Sequence, residues 1–182
     1  MDDRELLLSL REGSDEAFAA VFRAYYAGLV VAAERLLGDR SAAEDVAQEV
    51  MLETWRRRQA LPDDTRLRAY LYQATRNRAL NQLRHARIAR EGEPHVRPPT
   101  APEPSDAAAS TGELDVAARQ AVADLPNDVR ETFLMSRVDG LTYPEIARAQ
   151  EISVKTVEAR MGRALRLLRE RLAAWLPDGG GW

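Results

Sequence analysis

Between Leu141 and Leu172 the chain reads LTYPEIARAQEISVKTVEARMGRALRLLRERL: a capped helix, a short turn and a longer, strongly basic helix. Thr142 and Glu145 make a T-x-x-E capping box, with Pro144 in the first turn, where its missing N–H costs nothing. Ile146 and Ala147 then face inward. The periodicity breaks from Gln150 to Ile152, and Ser153 restarts a helix by accepting a hydrogen bond from the N–H of Lys155 or Thr156. A turn of about three residues between two helices is the helix-turn-helix length.

In the second of these helices Val157, Met161, Ala164, Leu165, Leu168 and Leu172 recur at spacings of three and four, so one stripe packs inward. The other face is basic: from Val154 to Arg171, Lys155, Arg160, Arg163, Arg166, Arg169 and Arg171 stand against Glu158 and Glu170. Lys155, Thr156, Ala159 and Arg160 lie nearest the helix start, where side chains reach base edges if such a helix enters a major groove. Lysine and arginine suit guanine edges, and the later arginines suit phosphates. The same pattern also fits a basic surface helix that caps a small bundle.

The 182 residues have room for one domain or two small ones, and 45% hydrophobic content suffices for packed cores. No apolar run approaches a membrane span, and MDDRELLLSL has acidic flanks rather than a positive leader, which predicts a cytoplasmic protein with no direct membrane insertion. With no cysteine and two histidines, disulfides, thiolate chemistry and cysteine-based zinc sites are excluded. His85 and His95 stand alone and receive no metal role. The net charge of −3 argues against a protein that holds DNA by bulk charge. The charge is instead segregated: acids dominate residues 1–16, whereas 76–90 carry arginines and no acid. Weak binding to arbitrary DNA suits a protein delivered by a partner.

Taken in order, Leu6, Leu7 and Leu10 mark a short helix ending at Gly13. Ser14 caps the next, whose stripe of Phe18, Val21, Phe22, Tyr25, Leu29, Ala32, Ala33 and Leu36 closes at Gly38. Ser41 and Glu44 read as a second capping box opening a helix to about Arg58. Its Val46, Val50, Met51, Thr54 and Trp55 face one way, while Asp45, Gln48, Glu49 and Leu52 decorate the rest. LPDDT is a loop in which Asp63 or Asp64 caps a further helix. That helix carries Leu67, Leu71, Ala74, Leu80 and Leu83 inward. Its other face shows Arg66, Arg68, Tyr70, Tyr72, Gln73, Arg76, Asn77, Asn81 and Arg84. Aromatics interleaved with arginines and amides suit stacked single-stranded bases, and they also suit a solvated rim. Residues 91–112 are proline-rich without apolar periodicity and read as a linker. Beyond it, a helix through Leu114, Ala117, Ala121, Val122 and Leu125 stops at Pro126, and Asn127 caps another through Val129, Phe133, Leu134 and Val138. No strand pattern appears. The expected fold class is all-α, with two small helical domains, 1–90 and 113–176, joined by a flexible linker at 91–112.

With both halves read, the sequence resembles the extracytoplasmic-function (ECF) group of bacterial sigma factors. RLLGDRSAAEDVAQEVMLETWR is similar to the family's region 2 signature for docking on core RNA polymerase, and AYLYQATRNRALNQLR resembles its promoter-melting helix. DLPNDVRETFLMSRVDGLTYPEIARAQEISVKTVEARMGRALRLLRE resembles its region 4 helix-turn-helix domain. The resemblance implies that Asp45, Gln48, Glu49 and Leu52 dock on the clamp helices of the polymerase β′ subunit. It also implies that the Leu61 to Arg66 loop and the following helix capture a flipped base of the minus-ten element, through Arg66, Tyr70, Arg76, Asn77, Asn81 and Arg84. Lys155, Thr156, Arg160 and Arg163 would read the minus-thirty-five element while the same domain touches the β flap, and an anti-sigma factor is the implied regulator.

The chain departs from the family at the helix turn, where Glu151 replaces a common glycine and has to tolerate an unfavourable backbone. It also has Leu61, Pro62 and Asp63 in place of a Phe-Arg-Gly-type loop, and Tyr70 in place of tryptophan. The implied protein has no catalytic activity, cofactor or metal; the polymerase performs the chemistry. Two other readings are a conventional repressor or activator with a sensing amino-terminal half, and an enzyme using carboxylates such as Asp45 and Glu49.

Overall fold

The computed structural model of the protein describes residues 3–91 and 112–175. These fall into two compact helical units, with no strand among the described residues. All but the two ends of the proline-rich stretch 91–112 lies outside the described residues, as does His95.

The first unit contains α1 (Asp3–Arg11), α2 (Asp15–Leu37), α3 (Arg40–Arg57), a short 3-10 turn (Arg58–Ala60) and α4 (Leu67–Glu91). Helix α2 is central and packs on α1, α3 and α4. Its start is fixed by Ser14, whose hydroxyl accepts from the Ala17 N–H at 3.2 Å, and its end by Gly38 at φ 71. A left-handed residue closes a helix cheaply only when it lacks Cβ, so the glycine sets the length of α2. Leu7, Leu10, Val21, Leu29, Val50, Met51, Leu67 and Leu71 are almost wholly buried. Each contributes about 1.5–3 kcal/mol relative to exposure, which is what holds the four helices together.

Several expectations shift in this unit. Helix α3 is capped by Asp39, which accepts from the Ala42 N–H at 3.0 Å; the box at Ser41 and Glu44 is not used, and Glu44 instead pairs with Arg40. Either cap was compatible with the local sequence, and the left-handed exit at Gly38 brings Asp39 to the earlier position. Asp63 does not cap α4: it pairs with Arg11 of α1, and the Arg66 carbonyl accepts from the Tyr70 N–H at 2.9 Å to open the helix. Leu61, in the loop, is buried. Tyr72 points into the core rather than joining the outer face, and its hydroxyl fits there because Gly28 of α2 carries no Cβ. Leu80, Leu83 and Ala74 are only partly buried, while Thr75 and Ala79 take the core positions. Helix α2 is, by length and composition, apolar enough to cross a membrane, contrary to the sequence expectation. Its buried face nevertheless belongs to the core of this unit.

The second unit contains α5 (Glu113–Ala123), α6 (Asn127–Arg137), α7 (Tyr143–Gln150) and α8 (Val154–Arg171), followed by a 3-10 turn at Ala173–Trp175. Helix α8 packs on α5 and α6 around Leu125, Val129 and Ala164, with Phe133, Leu167 and Leu168 against them. Asn127 is the first residue of α6, not its cap; Pro126 holds that position and the Asn127 side chain accepts from Arg130. Leu165 is exposed, not inward. At about 100° per residue it lies on the opposite side of the line through Val157, Met161 and Ala164 from Leu167, which does pack on the core. Val138 and Leu114 are exposed as well.

Candidate functional surfaces

Three surfaces carry the polar residues singled out in the sequence, and each is set up by the helix beneath it.

On α3, Val46, Ala47, Val50, Met51 and Thr54 fill the core, which forces Asp45, Gln48, Glu49 and Leu52 outward into a single exposed strip. Leu52 is 49% exposed, a large apolar side chain left in water between acids and an amide. Two neighbours extend the strip. The Gln48 amide donates to the Tyr26 hydroxyl at 3.4 Å, and Glu49 pairs with Arg78 of α4 at 2.5 Å. Tyr26 stacks on the exposed Phe22, with ring centroids 4.4 Å apart. Phe22, expected in the core from its helical spacing, is exposed, and Tyr26 beside it is half-buried. The signal that could have placed Phe22 outside is the density of apolar residues on α2, more than one face can bury. Phe18 continues the aromatic row to Trp55, 5.1 Å away, and the Arg58 guanidinium lies 4.1 Å above the Trp55 ring.

On α4, Tyr70, Asn77, Asn81 and Arg84 lie within about 40° of one line at about 100° per residue, whereas Arg76 lies about 100° away from it. Arg66, Asn81 and Arg84 are exposed, and Tyr70, Arg76 and Asn77 are partly covered. Arg84 donates to the Asn81 carbonyl oxygen at 3.0 Å, which orients that amide. The line therefore keeps four of the six candidates, leaves Arg76 on a flank and has Arg66 at the residue just before the helix.

In the second unit the capping box is half formed. Glu145 accepts from both the N–H and the hydroxyl of Thr142, each at 2.7 Å, and Ile146 donates to the Thr142 carbonyl. The turn to α8 passes through Glu151 at φ 57, among the described residues the sole non-glycine at positive φ. This is the unfavourable backbone expected at that position. Ser153 then caps α8 by accepting from the Thr156 N–H at 3.1 Å, and its hydroxyl lies 2.8 Å from that of Thr156. Lys155 and Arg163 are exposed on the outer face. Arg160 is not: its side chain is 23% exposed and pairs with Asp128 of α6 at 3.3 Å.

No group of three or more histidines, acids or cysteines that could hold a metal occurs among the described residues. Asp45 and Glu49 stand as part of the exposed α3 strip.

Comparison with known proteins gives concordant assignments. Residues 21–88 match Sigma-70 region 2, and residues 115–168 match Sigma-70, region 4. The chain is 32% identical over 164 residues to the ECF RNA polymerase sigma factor SigL of Mycobacterium tuberculosis, covering 86% of this chain and 92% of that protein. Among solved structures it is similar to CnrH, determined with the cytosolic domain of CnrY, at 25% identity and a TM-score of 0.66, covering 94% of this chain and 97% of that one. It shares the fold of RpoE from Bartonella quintana, determined with the anti-sigma factor NepR, at 23% identity and a TM-score of 0.68, covering 86% and 96%. Two helical units, a capped helix-turn-helix with a basic second helix, and region matches on both units leave one assignment: the chain belongs to the extracytoplasmic-function sigma factors of the sigma-70 family, which bind core RNA polymerase and direct promoter-specific transcription initiation.

Proposed function

We propose that the work of this sigma factor is divided among the three surfaces. The first domain, 1–90, docks on the β′ clamp helices of core polymerase through Asp45, Gln48, Glu49 and Leu52, with Tyr26 supporting Gln48. It captures and melts the minus-ten element along the α4 line, through Arg66, Tyr70, Asn77, Asn81 and Arg84, with Arg76 at its edge. The second domain, 113–176, reads the minus-thirty-five element from the outer face of α8, through Lys155, Thr156 and Arg163, and touches the β flap. Residues 91–112 tether the two. The protein acts in the cytoplasm, needs no cofactor and catalyses nothing itself, because the polymerase supplies the phosphoryl-transfer chemistry.

The observation that carries this reading is the α3 strip. A leucine kept half in water, beside Gln48 and two acids, on a helix whose opposite side is core, is an anchor awaiting a partner surface. An anti-sigma factor that covers this strip or the α8 face belongs to the same proposal. Support comes from family membership and from CnrH, whose structure was determined with the cytosolic domain of CnrY.

The test is competition for core polymerase against a labelled sigma factor. Replacing Gln48 and Glu49 together by alanine should weaken binding by about 2 kcal/mol, roughly thirtyfold, if they are interface hot spots. Circular dichroism should be unchanged, since both side chains are exposed. A double variant that competes within about twofold of the wild type removes the docking assignment.

A further inference from the structure

The six basic residues of α8 are not equivalent. At about 100° per residue, Lys155, Arg163, Arg166 and Arg169 fall within about 120° of arc on the outer face, whereas Arg160 and Arg171 sit about 20° apart on a flank close to the core stripe. Both flank residues are taken by acids at the corner between α5 and α6. Arg160 Nε lies 3.3 Å from Asp128 Oδ2 in the first turn of α6, and Arg171 pairs with Asp124 at the end of α5. Asp124 is itself steadied by the Gln120 amide at 2.9 Å. Neither pair is deeply buried: Asp128 is 52% exposed and Arg171 47%. Exposed ion pairs add little to stability, so their main consequence is where they hold the guanidinium groups.

We propose that Asp124 and Asp128 form an acidic corner that sorts the charges of α8, holding Arg160 and Arg171 against the domain and leaving Lys155, Arg163 and Arg166 to meet DNA. Asp128 is then the positioning residue for Arg160. This rests on the reading of α8 as the minus-thirty-five helix, and it revises the expectation that Arg160 reads a base edge. A long cationic side chain released near a duplex finds phosphate oxygens whatever the sequence, which adds affinity and dilutes discrimination. An acid beside the groove that captures this side chain suppresses that sequence-independent contact.

The experiment measures initiation by holoenzyme on a promoter library randomised across the upstream element. Asp128→Ala should raise output on mismatched elements relative to the best one by about threefold or more, and steepen the salt dependence by about one counterion. Asp128→Glu should restore the wild-type profile. In an Arg160→Ala background, Asp128→Ala should no longer change the profile, because no arginine remains to be released. The acidic corner is overturned if Asp128→Ala lowers all promoters evenly or leaves the profile unaltered. It is equally overturned if the flattening persists without Arg160. Arg163→Ala is the reference arm. If it reshapes the preference while Asp128→Ala does not, the corner alone is wrong. If Arg163→Ala also leaves the preference untouched, the reading of α8 falls and takes the corner with it.

Discussion

Gly28 and Tyr72 offer a stability test whose sign reverses with one atom. A Cβ built on Gly28 would stand 2.6 Å from the Tyr72 hydroxyl oxygen but 3.7 Å from the ring carbon bearing it. The first distance is a clash and the second an ordinary contact. Tyr72 is 5% exposed, so the ring cannot swing into solvent, and overpacking of this kind costs about 1–3 kcal/mol. Against this, alanine in the interior of a helix is favoured over glycine by about 0.8–1.0 kcal/mol. Gly28→Ala alone should therefore destabilise the first domain by up to about 2 kcal/mol. In a Tyr72→Phe background the offending oxygen is gone, and the same substitution should stabilise by about 1 kcal/mol. For a domain of this size 1 kcal/mol moves the melting temperature by about 4–8 °C, well within reach of thermal circular dichroism on the four proteins of the cycle. Any hydrogen bond lost with the Tyr72 hydroxyl is lost equally in both members of the Phe background, so it cancels. If Gly28→Ala stabilises the wild type, or fails to change sign when Tyr72 becomes phenylalanine, the packing of α2 on α4 has been misread.

Two further outcomes are expected. Ser153→Ala removes the cap of α8 and should cost the second domain about 1 kcal/mol by denaturant unfolding, while Ser153→Asp should retain most of it; an unshifted midpoint for the alanine variant would place the cap elsewhere. The Glu16 carboxylate is held below its usual 4.5 first by a backbone N–H at the start of α2 and then by the Ser14 hydroxyl. A depressed carboxylate contributes stability that is present above the unfolded value and lost as pH falls through the folded one. Wild type and Glu16→Gln should thus differ at neutral pH and converge at the acid end of an unfolding series. A gap that stays constant below pH 4.5 would contradict the assignment.

What the sequence determined by itself were the features set by nearest neighbours along the chain. The stop at Gly38, the caps at Ser14 and Ser153, the break at Pro126 and the three-residue turn through Glu151 each depend on a few adjacent residues. The exposed strip of Asp45, Gln48, Glu49 and Leu52 was legible for the same reason, because the buried residues of α3 repeat at helical spacing and leave only one face for it. Where two local solutions were nearly equal in energy, as for Asp39 against Ser41 at the start of α3, the chain entering from Gly38 chose between them. Tertiary structure alone decided the rest. Tyr72 is inside with its hydroxyl in the space that a glycine forty-four residues earlier leaves, and Phe22 is outside because α2 carries more apolar surface than α1, α3 and α4 can cover. Arg160 stands among the candidate base readers on a helical wheel, and only the packing of α6 brings Asp128 to its Nε. Periodicity states which way a side chain leaves its helix; which partner it meets there depends on elements that the packing brings near.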